Sequence, residues 1–289
     1  MRLLVLAFVT ACAADDAMTQ PPDGSIGPDA PPGCTQPSLD APWLASSLNG
    51  WITGLTVAPR STVTQRDAAR TYLSQQLTMM GWTPQTHQYN NGANLYATIP
   101  ATMGSEKQIV VGAHFDTVAN SPGANDNASG SAVVLAIARY LKDTPCRKAP
   151  VIIAFFDQEE LGLFGARAFA MMLDPAQTRA VHTIDQVAWD SDNDKRYELE
   201  LPTTALEAEW RAAAGVVGVT LDTTATTGTD HEAFRDRGFA AMGLTEEYVG
   251  GDTSPFRHST GDTASTVKAS YLIDAAKLTA RVVLGETAL

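Results

Sequence analysis

Two linked runs decide the fold: Gln108-Ile109-Val110-Val111-Gly112-Ala113-His114-Phe115-Asp116, and the loop Asn120-Ser121-Pro122-Gly123-Ala124-Asn125-Asp126-Asn127-Ala128-Ser129-Gly130 that follows it. The first is an apolar stretch of strand length that stops on a histidine and an aspartate. The second is rich in Gly, Asn and Ser and opens an apolar segment of helical length over 131–141. A second apolar run, Val151-Ile152-Ile153-Ala154-Phe155-Phe156, then stops on Asp157-Gln158-Glu159-Glu160. Short apolar runs bounded by loop residues read as buried strands, and strand, helix, strand reads as a parallel unit. In a mostly parallel sheet the carboxyl ends of the strands face the site crevice. His114, Asp126, Glu159 and Glu160 are therefore expected to meet.

Working outward, the same alternation continues. Positions 62–80 carry apolar residues at helical spacing, with Gly81 as a stop. Positions 83–89 and 93–99 read as a strand pair. A helix is expected over 165–173, strands over 180–189 and 197–201, a helix over 205–214, a strand over 239–244 and a closing helix over 267–284. The class is α/β, a mixed central sheet flanked by helices.

The bounds agree with one large domain of 289 residues, and 44% hydrophobic residues suffice for a sizeable core. A net charge of -12 argues against a nucleic-acid partner, which needs a basic face. At the start, Arg2 precedes a short apolar core too brief for the roughly 20 residues of a membrane span. Val9-Thr10-Ala11-Cys12 resembles a bacterial lipoprotein processing box with Cys12 as the lipidated residue. Residues 1–12 are thus expected to be a lipoprotein-type signal peptide and 13–42, rich in Asp, Pro, Gly and Ala, a disordered tether. The folded domain is expected over 43–289. This makes the protein an exported one of the cell envelope, periplasmic or on the outer surface, or secreted if Cys12 is not lipidated; its contact with a membrane runs only through the lipid. Cys34 and Cys146 then remain, and in an oxidising compartment such a pair is expected to join.

The chemistry lies at the strand ends. Histidine and carboxylates suit zinc, which takes nitrogen and oxygen ligands. Asp116, two positions after His114, is placed to orient the imidazole. Asp126 sits in a loop that allows close approach, and its two oxygens can bridge two metals. Of the adjacent Glu159 and Glu160, one can bind metal while the other takes a proton from water. Two more ligands must come from later in the chain, with His258 before the last helix and Asp185 after an apolar run as candidates. Singly, each of these acids reads as a solvated loop residue. Asp190-Ser191-Asp192-Asn193-Asp194 resembles the start of a calcium loop, but Lys195 and Leu201 stand where Gly and Glu are required, so it reads as an acidic turn.

Taken together, 108–263 resembles the two-zinc aminopeptidase family of metallopeptidases, the leucyl aminopeptidase and aminopeptidase Y type. The family's His-x-Asp appears as His114-Phe115-Asp116, its Asp-Asn loop as Gly123 to Gly130, and its Glu-Glu-x-Gly-x-x-Gly as Glu159-Glu160-Leu161-Gly162-Leu163-Phe164-Gly165. Thr229-Asp230-His231 and His258 to Thr263 match its later motifs, and Ile184-Asp185-Gln186-Val187-Ala188 matches more loosely. The resemblance implies a single-domain zinc-exopeptidase fold. It implies two zinc ions, one on His114, Asp126 and Asp185, the other on Asp126, Glu160 and His258. Glu159 becomes the general base, Asp116 the partner of His114, and His231 part of the pocket wall. The implied reaction is hydrolysis of peptide substrates at the N-terminal residue. Gln186 and Ala188 depart from the family pattern and leave Asp190 as a rival to Asp185. Arg257 stands where some relatives carry a tyrosine, so the oxyanion is left to Arg257, to Tyr248 or to neither. Alternatives are a glutaminyl cyclase or a carboxypeptidase of the same superfamily, or a metal-free binding lipoprotein. Zinc content and a substrate panel separate them. Preferred side chain, natural substrate and oligomeric state are not legible.

Overall fold

The computed structural model describes residues 32–104 and 106–288. Helices α1 (Leu44–Leu55) and α2 (Val63–Met79) lead into the antiparallel pair β1 (Gln85–Tyr89) and β2 (Gly92–Ile99). Then come β3 (Gln108–His114), α3 (Gly130–Lys142), β4 (Val151–Phe156), α4 (Phe164–Met172) and β5 (Thr178–Ile184). The chain continues through β6 (Arg196–Glu200), α5 (Thr204–Val217), β7 (Thr220–Thr224), α6 (Asp230–Arg235) and β8 (Ala241–Glu246), and closes with α7 (Ala269–Thr287). The eight strands form one mixed sheet in the order β1-β2-β4-β3-β5-β8-β6-β7.

The centre of that sheet, β4-β3-β5-β8, is parallel. Its strands read as continuous apolar runs because both faces are covered. Alternate residues serve opposite sides. Ile109, Val111, Val151 and Ile153 pack toward α1, α2, α3, α5 and α7, whereas Val110, Ile152, Phe156 and Val181 pack toward α4 and α6. The mixed sheet with helices on both faces is the expected class. Register then places the site: His114 pairs with Phe156 across β3 and β4, and Gly112 with Thr183 across β3 and β5. The exits of β3, β4 and β5 therefore emerge side by side.

Local signals account for several boundaries. Thr62 and Gln65 form a reciprocal capping box at the start of α2. Gly218, left-handed at φ 81°, stops α5. Three elements escaped the sequence. These are α1, the short α6, and β7, whose Thr-Leu-Asp-Thr-Thr is polar because it is an edge strand with one neighbour. The strand expected over 180–189 ends at Ile184, because the side chain of Asn127 takes over the Ile184 carbonyl and the Gln186 N–H.

The expected tether also needs correction at its end. Cys34 is buried and joined to Cys146, with Cα atoms 5.3 Å apart. Gln36 Nε2 donates to Leu284 O at 3.1 Å, and Tyr140 Oη donates to Leu39 O at 2.6 Å. The fold thus begins before residue 43, because these bonds hold the segment against α3 and α7. The expected signal peptide, Cys12 and the tether over 13–31 lie outside the described residues. No helix among the described residues is long and apolar enough to cross a membrane.

Candidate metal centre

Backbone carbonyls and one buried arginine shape the loop after β3. Arg60 is 1% exposed and donates to Phe115 O (2.6 Å), Leu55 O (3.0 Å), Pro122 O (2.6 Å) and Gly123 O (2.8 Å). Burial pulls its guanidinium down to about 10, while Asp116, Asp262, Asp126 and Glu160 act to hold it charged. Asp262 accepts from Asn125 N at 2.7 Å and Asp126 N at 3.0 Å, so the Asp126 backbone is pinned from the far end of the chain. The Asp126–Asn127 peptide bond is cis. Asn127 Oδ1 accepts from Gly130 N (2.9 Å) and Gln186 N (3.1 Å), and its Nδ2 donates to Ile184 O (2.8 Å). Position 130 must be glycine, since a Cβ there would run into Ile184 O and the Asn127 amide. The same contacts set where Asp185 leaves β5.

The exit of β4 is held as firmly. Asp157 pairs with Arg66 at 2.7 Å and accepts from Ala93 N at 3.1 Å. Asp116 accepts from Glu159 N at 2.9 Å and Glu160 N at 3.2 Å. Its Oδ1 lies 3.5 Å from His114 Nδ1, beside the imidazole as expected. The structure adds a second task for Asp116, which is to aim the Glu159-Glu160 backbone.

The side chains gathered by these exits form two groups that share Asp126. His114 Nε2 lies 3.3 Å from Asp126 Oδ1, 3.3 Å from Asp185 Oδ1 and 3.9 Å from Glu159 Oε2. His258 Nε2 lies 3.1 Å from both Asp126 Oδ2 and Glu160 Oε2. Asp185 is therefore the one brought to His114. Its rival Asp190 belongs to a separate acidic turn with Asp192 and Asp194. Arg257 Nε stands 3.3 Å from Asp126 Oδ2, and its guanidinium lies 5.7 Å from the centre of the Tyr248 ring. His231 is buried in the wall, contacting Thr229, Glu200 and the Thr226 carbonyl, and is in neither group.

Such crowding of acids is costly without cations. Burial pushes Glu159 up to about 10; Asp185, Asp230 and Asp116 act in the same sense, against His114. Glu160 rises to about 7 through burial and Asp126, against His114 and His258. Burial acts on Asp126 too, but hydrogen bonding to His114 and His258 holds it far below the usual carboxylate range. Asp126 Oδ2 is buried between His258 Nε2 and Arg257 Nε, and Glu160 Oε1 is buried with no hydrogen-bond partner. Buried carboxylate oxygens gathered beside two imidazole nitrogens are a donor set that suits a zinc-type cation.

Sequence reading missed several supporting residues. Asp262, Asn125, Asn127 and Asp230 stood inside the quoted motifs without a role. Asp230 is buried with one unpartnered oxygen and is raised to about 8 by burial, with Asp185 and Asp116 acting in the same sense against His114. Glu246, which accepts from Asn125 Nδ2 at 2.8 Å and Ser254 N at 2.8 Å, carried no local signal. Nor did Arg60.

Residues 94–283 match peptidase family M28. The aminopeptidase YwaD of Bacillus subtilis is 31% identical over 186 residues, which are 59% of this chain and 39% of that protein. The chain thus matches well under half the length of this relative. The solved structure of a zinc aminopeptidase from Bacillus subtilis superposes with a TM-score of 0.80 at 15% identity, covering 86% of this chain and 96% of the other. A glutaminyl cyclase of Bacteroides thetaiotaomicron gives 0.72 at 17% identity, covering 86% and 99%. At these identities the likeness is one of fold.

Proposed function

The chain belongs to peptidase family M28, and from that premise we propose that it is a zinc-dependent exopeptidase, an aminopeptidase acting on the N-terminal residue of peptides. Asp126 carries the reading. It is one buried carboxylate whose two oxygens face different imidazoles, His114 on one side and His258 on the other. That arrangement supports a pair of zinc ions, the first held by His114, Asp126 and Asp185, the second by Asp126, Glu160 and His258. The name of the Bacillus subtilis relative supports the amino-terminal direction.

When bound, zinc supplies an acidified water as nucleophile and polarises the scissile carbonyl. The chain's own residues do the rest. Glu159, aimed by the Asp116 carboxylate, accepts the attacking water's proton and delivers it to the leaving nitrogen. The C–N bond breaks, and a free amino acid and a shortened peptide leave. Arg257 and Tyr248, close together at the edge of the crevice, are the two side chains we assign to charge developing on the carbonyl oxygen. We also place the protein in the cell envelope, anchored through lipid on Cys12. The Cys34–Cys146 disulfide supports export, since such bonds persist in oxidising compartments.

Metal analysis combined with fluorogenic aminoacyl and glutaminyl substrates tests this. We expect about two zinc per chain and release of the aminoacyl fluorophore. Cyclisation of N-terminal glutamine without aminoacyl hydrolysis would put the glutaminyl cyclase reading in its place. Metal binding without turnover of any substrate would leave a binding protein.

A further inference from the structure

Helix α4 carries a second apolar stripe that the core does not use. Ala166, Phe169 and Ala170 pack inward with Ile152 and Phe156. Phe164, Ala168, Met171 and Met172 fall at i, i+4, i+7 and i+8, the spacing of one helix face. Phe164 is 51% exposed, Met171 69% and Met172 42%. They line a groove of about 640 Å³ between α4 and the β1–β2 hairpin, a volume that suits a ligand. His87 and Tyr89 stand on the opposite wall, turned to the α4 side of β1 by strand alternation. The His87 ring lies 5.6 Å from that of Phe169.

The groove starts at the metal crevice. β2 runs antiparallel to β4 with Leu95 opposite Phe155, so the hairpin turn at Asn90 and Asn91 lies at the same end of the sheet as the Glu159-Glu160 exit. Gln158, which immediately precedes the proposed base, belongs to the wall, and its Oε1 accepts from Tyr89 Oη at 3.2 Å. Phe164 N donates to Gln158 O at 3.1 Å and closes the turn that carries Glu159 and Glu160. From there α4 runs back along the sheet toward the start of β5. Phe164 to Met172 span about 12 Å, the length of about three to four residues of extended peptide. No acid lines the groove among the described residues, and Arg167 stands on its wall. The pairs of Arg167 with Glu232 at 3.5 Å and Asp236 at 3.4 Å lie at the surface and are weak. The wall thus favours the carboxyl end of a peptide, whose amino end lies among the acids of the metal centre.

We propose that this groove holds the downstream part of a peptide substrate and favours apolar residues from the third position onward. This inference rests on the aminopeptidase reading. Bulky side chains that stand in water gain by being covered, and methionines adapt to varied apolar shapes. A peptide rich in Gly and Ser leaves them exposed.

The zinc-loaded protein should be assayed with two hexapeptides that share their first two residues. One carries Leu and Phe at positions three to six, the other Gly and Ser; an aminoacyl fluorophore, which ends at the scissile bond, is run beside them. The expected result is a kcat/KM for the apolar hexapeptide about tenfold or more above the polar one. Met171→Glu should lower that ratio by about tenfold with zinc content unchanged. Phe164→Ser makes the same test from the crevice end if Met171→Glu does not fold. A general loss of activity would slow both hexapeptides equally, and an unchanged ratio in both variants overturns the inference. A dimer in sedimentation equilibrium that Met171→Glu splits, with equal kcat/KM for the two hexapeptides, gives the groove to a second copy and also overturns it. Equal kcat/KM in the wild type, with the fluorophore still released, overturns the groove inference and leaves the aminopeptidase reading standing. Absence of turnover with the fluorophore and with both hexapeptides overturns both.

Discussion

Glu159 and Glu160 are neighbours in sequence with different surroundings. Glu160 Oε2 meets His258, while Glu159 Oε2 stays 3.9 Å from His114 and outside both ligand groups. Glu159→Gln keeps the shape, removes the proton acceptor and spares the ligands. We expect turnover to fall by about 10²–10⁴-fold with zinc retained, as read by steady-state kinetics and metal analysis on the same sample. Near-normal turnover would take the base role away from Glu159. Asp126 is the opposite case, since it belongs to both groups. Asp126→Ala should remove both zinc ions after dialysis against metal-free buffer; full metal content in that variant would displace Asp126 from the centre of the scheme.

At the scale of elements, the site depends on one irregular connection, the loop from β3 to α3. Four backbone carbonyls converge on Arg60, and Asp262 and Asn127 tie the loop to the segment before α7 and to the exit of β5. Arg60→Met keeps much of the side-chain volume but leaves those buried acceptors unpaired. Each orphaned group costs about 1–3 kcal/mol; with partial rehydration we expect about 3–5 kcal/mol in all. Thermal unfolding should show a melting temperature lower by about 10 °C, together with weaker zinc binding. A melting temperature within about 2 °C of wild type would show that the loop holds its shape without the guanidinium.

Across the whole molecule, the Cys34–Cys146 bridge fastens the start of the fold to the turn between α3 and β4, at the opposite end of β4 from the Glu159-Glu160 exit. Its cysteines are 112 positions apart. In the chain-entropy view a closed loop of that order contributes about 4–5 kcal/mol by restricting the unfolded chain. Cys34→Ser with Cys146→Ser should lower the melting temperature by about 10 °C and leave kcat nearly unchanged, because no ligand lies near the bridge. A large loss of kcat in folded, zinc-loaded double variant would instead tie the bridge to the site.

How much of this was legible can be judged from particular residues. His114, Asp126, Glu159 and Glu160 could be placed together from sequence because apolar runs of strand length announce buried parallel strands, whose carboxyl ends share one side of the sheet. The disulfide followed from counting the cysteines left once the N-terminus is read as an export signal. Asp185 could not be separated from Asp190 by spacing. The choice was made by Asn127, whose side chain donates to the Ile184 carbonyl, accepts from the Gln186 N–H and so ends the strand one residue before Asp185. Asp116 was legible as a neighbour of His114, but its hold on the Glu159 and Glu160 N–H groups was not, because those groups arrive from the exit of β4 only on folding. Arg60 and Glu246 left no trace in the sequence. A buried charge acquires its meaning only from carbonyls, amides and carboxylates that come from distant parts of the chain. Local sequence determined which segments were strands and helices and which ends carried metal-binding groups. The tertiary structure alone decided how those groups are aimed, because their orientation is set by hydrogen bonds between residues that only folding brings together.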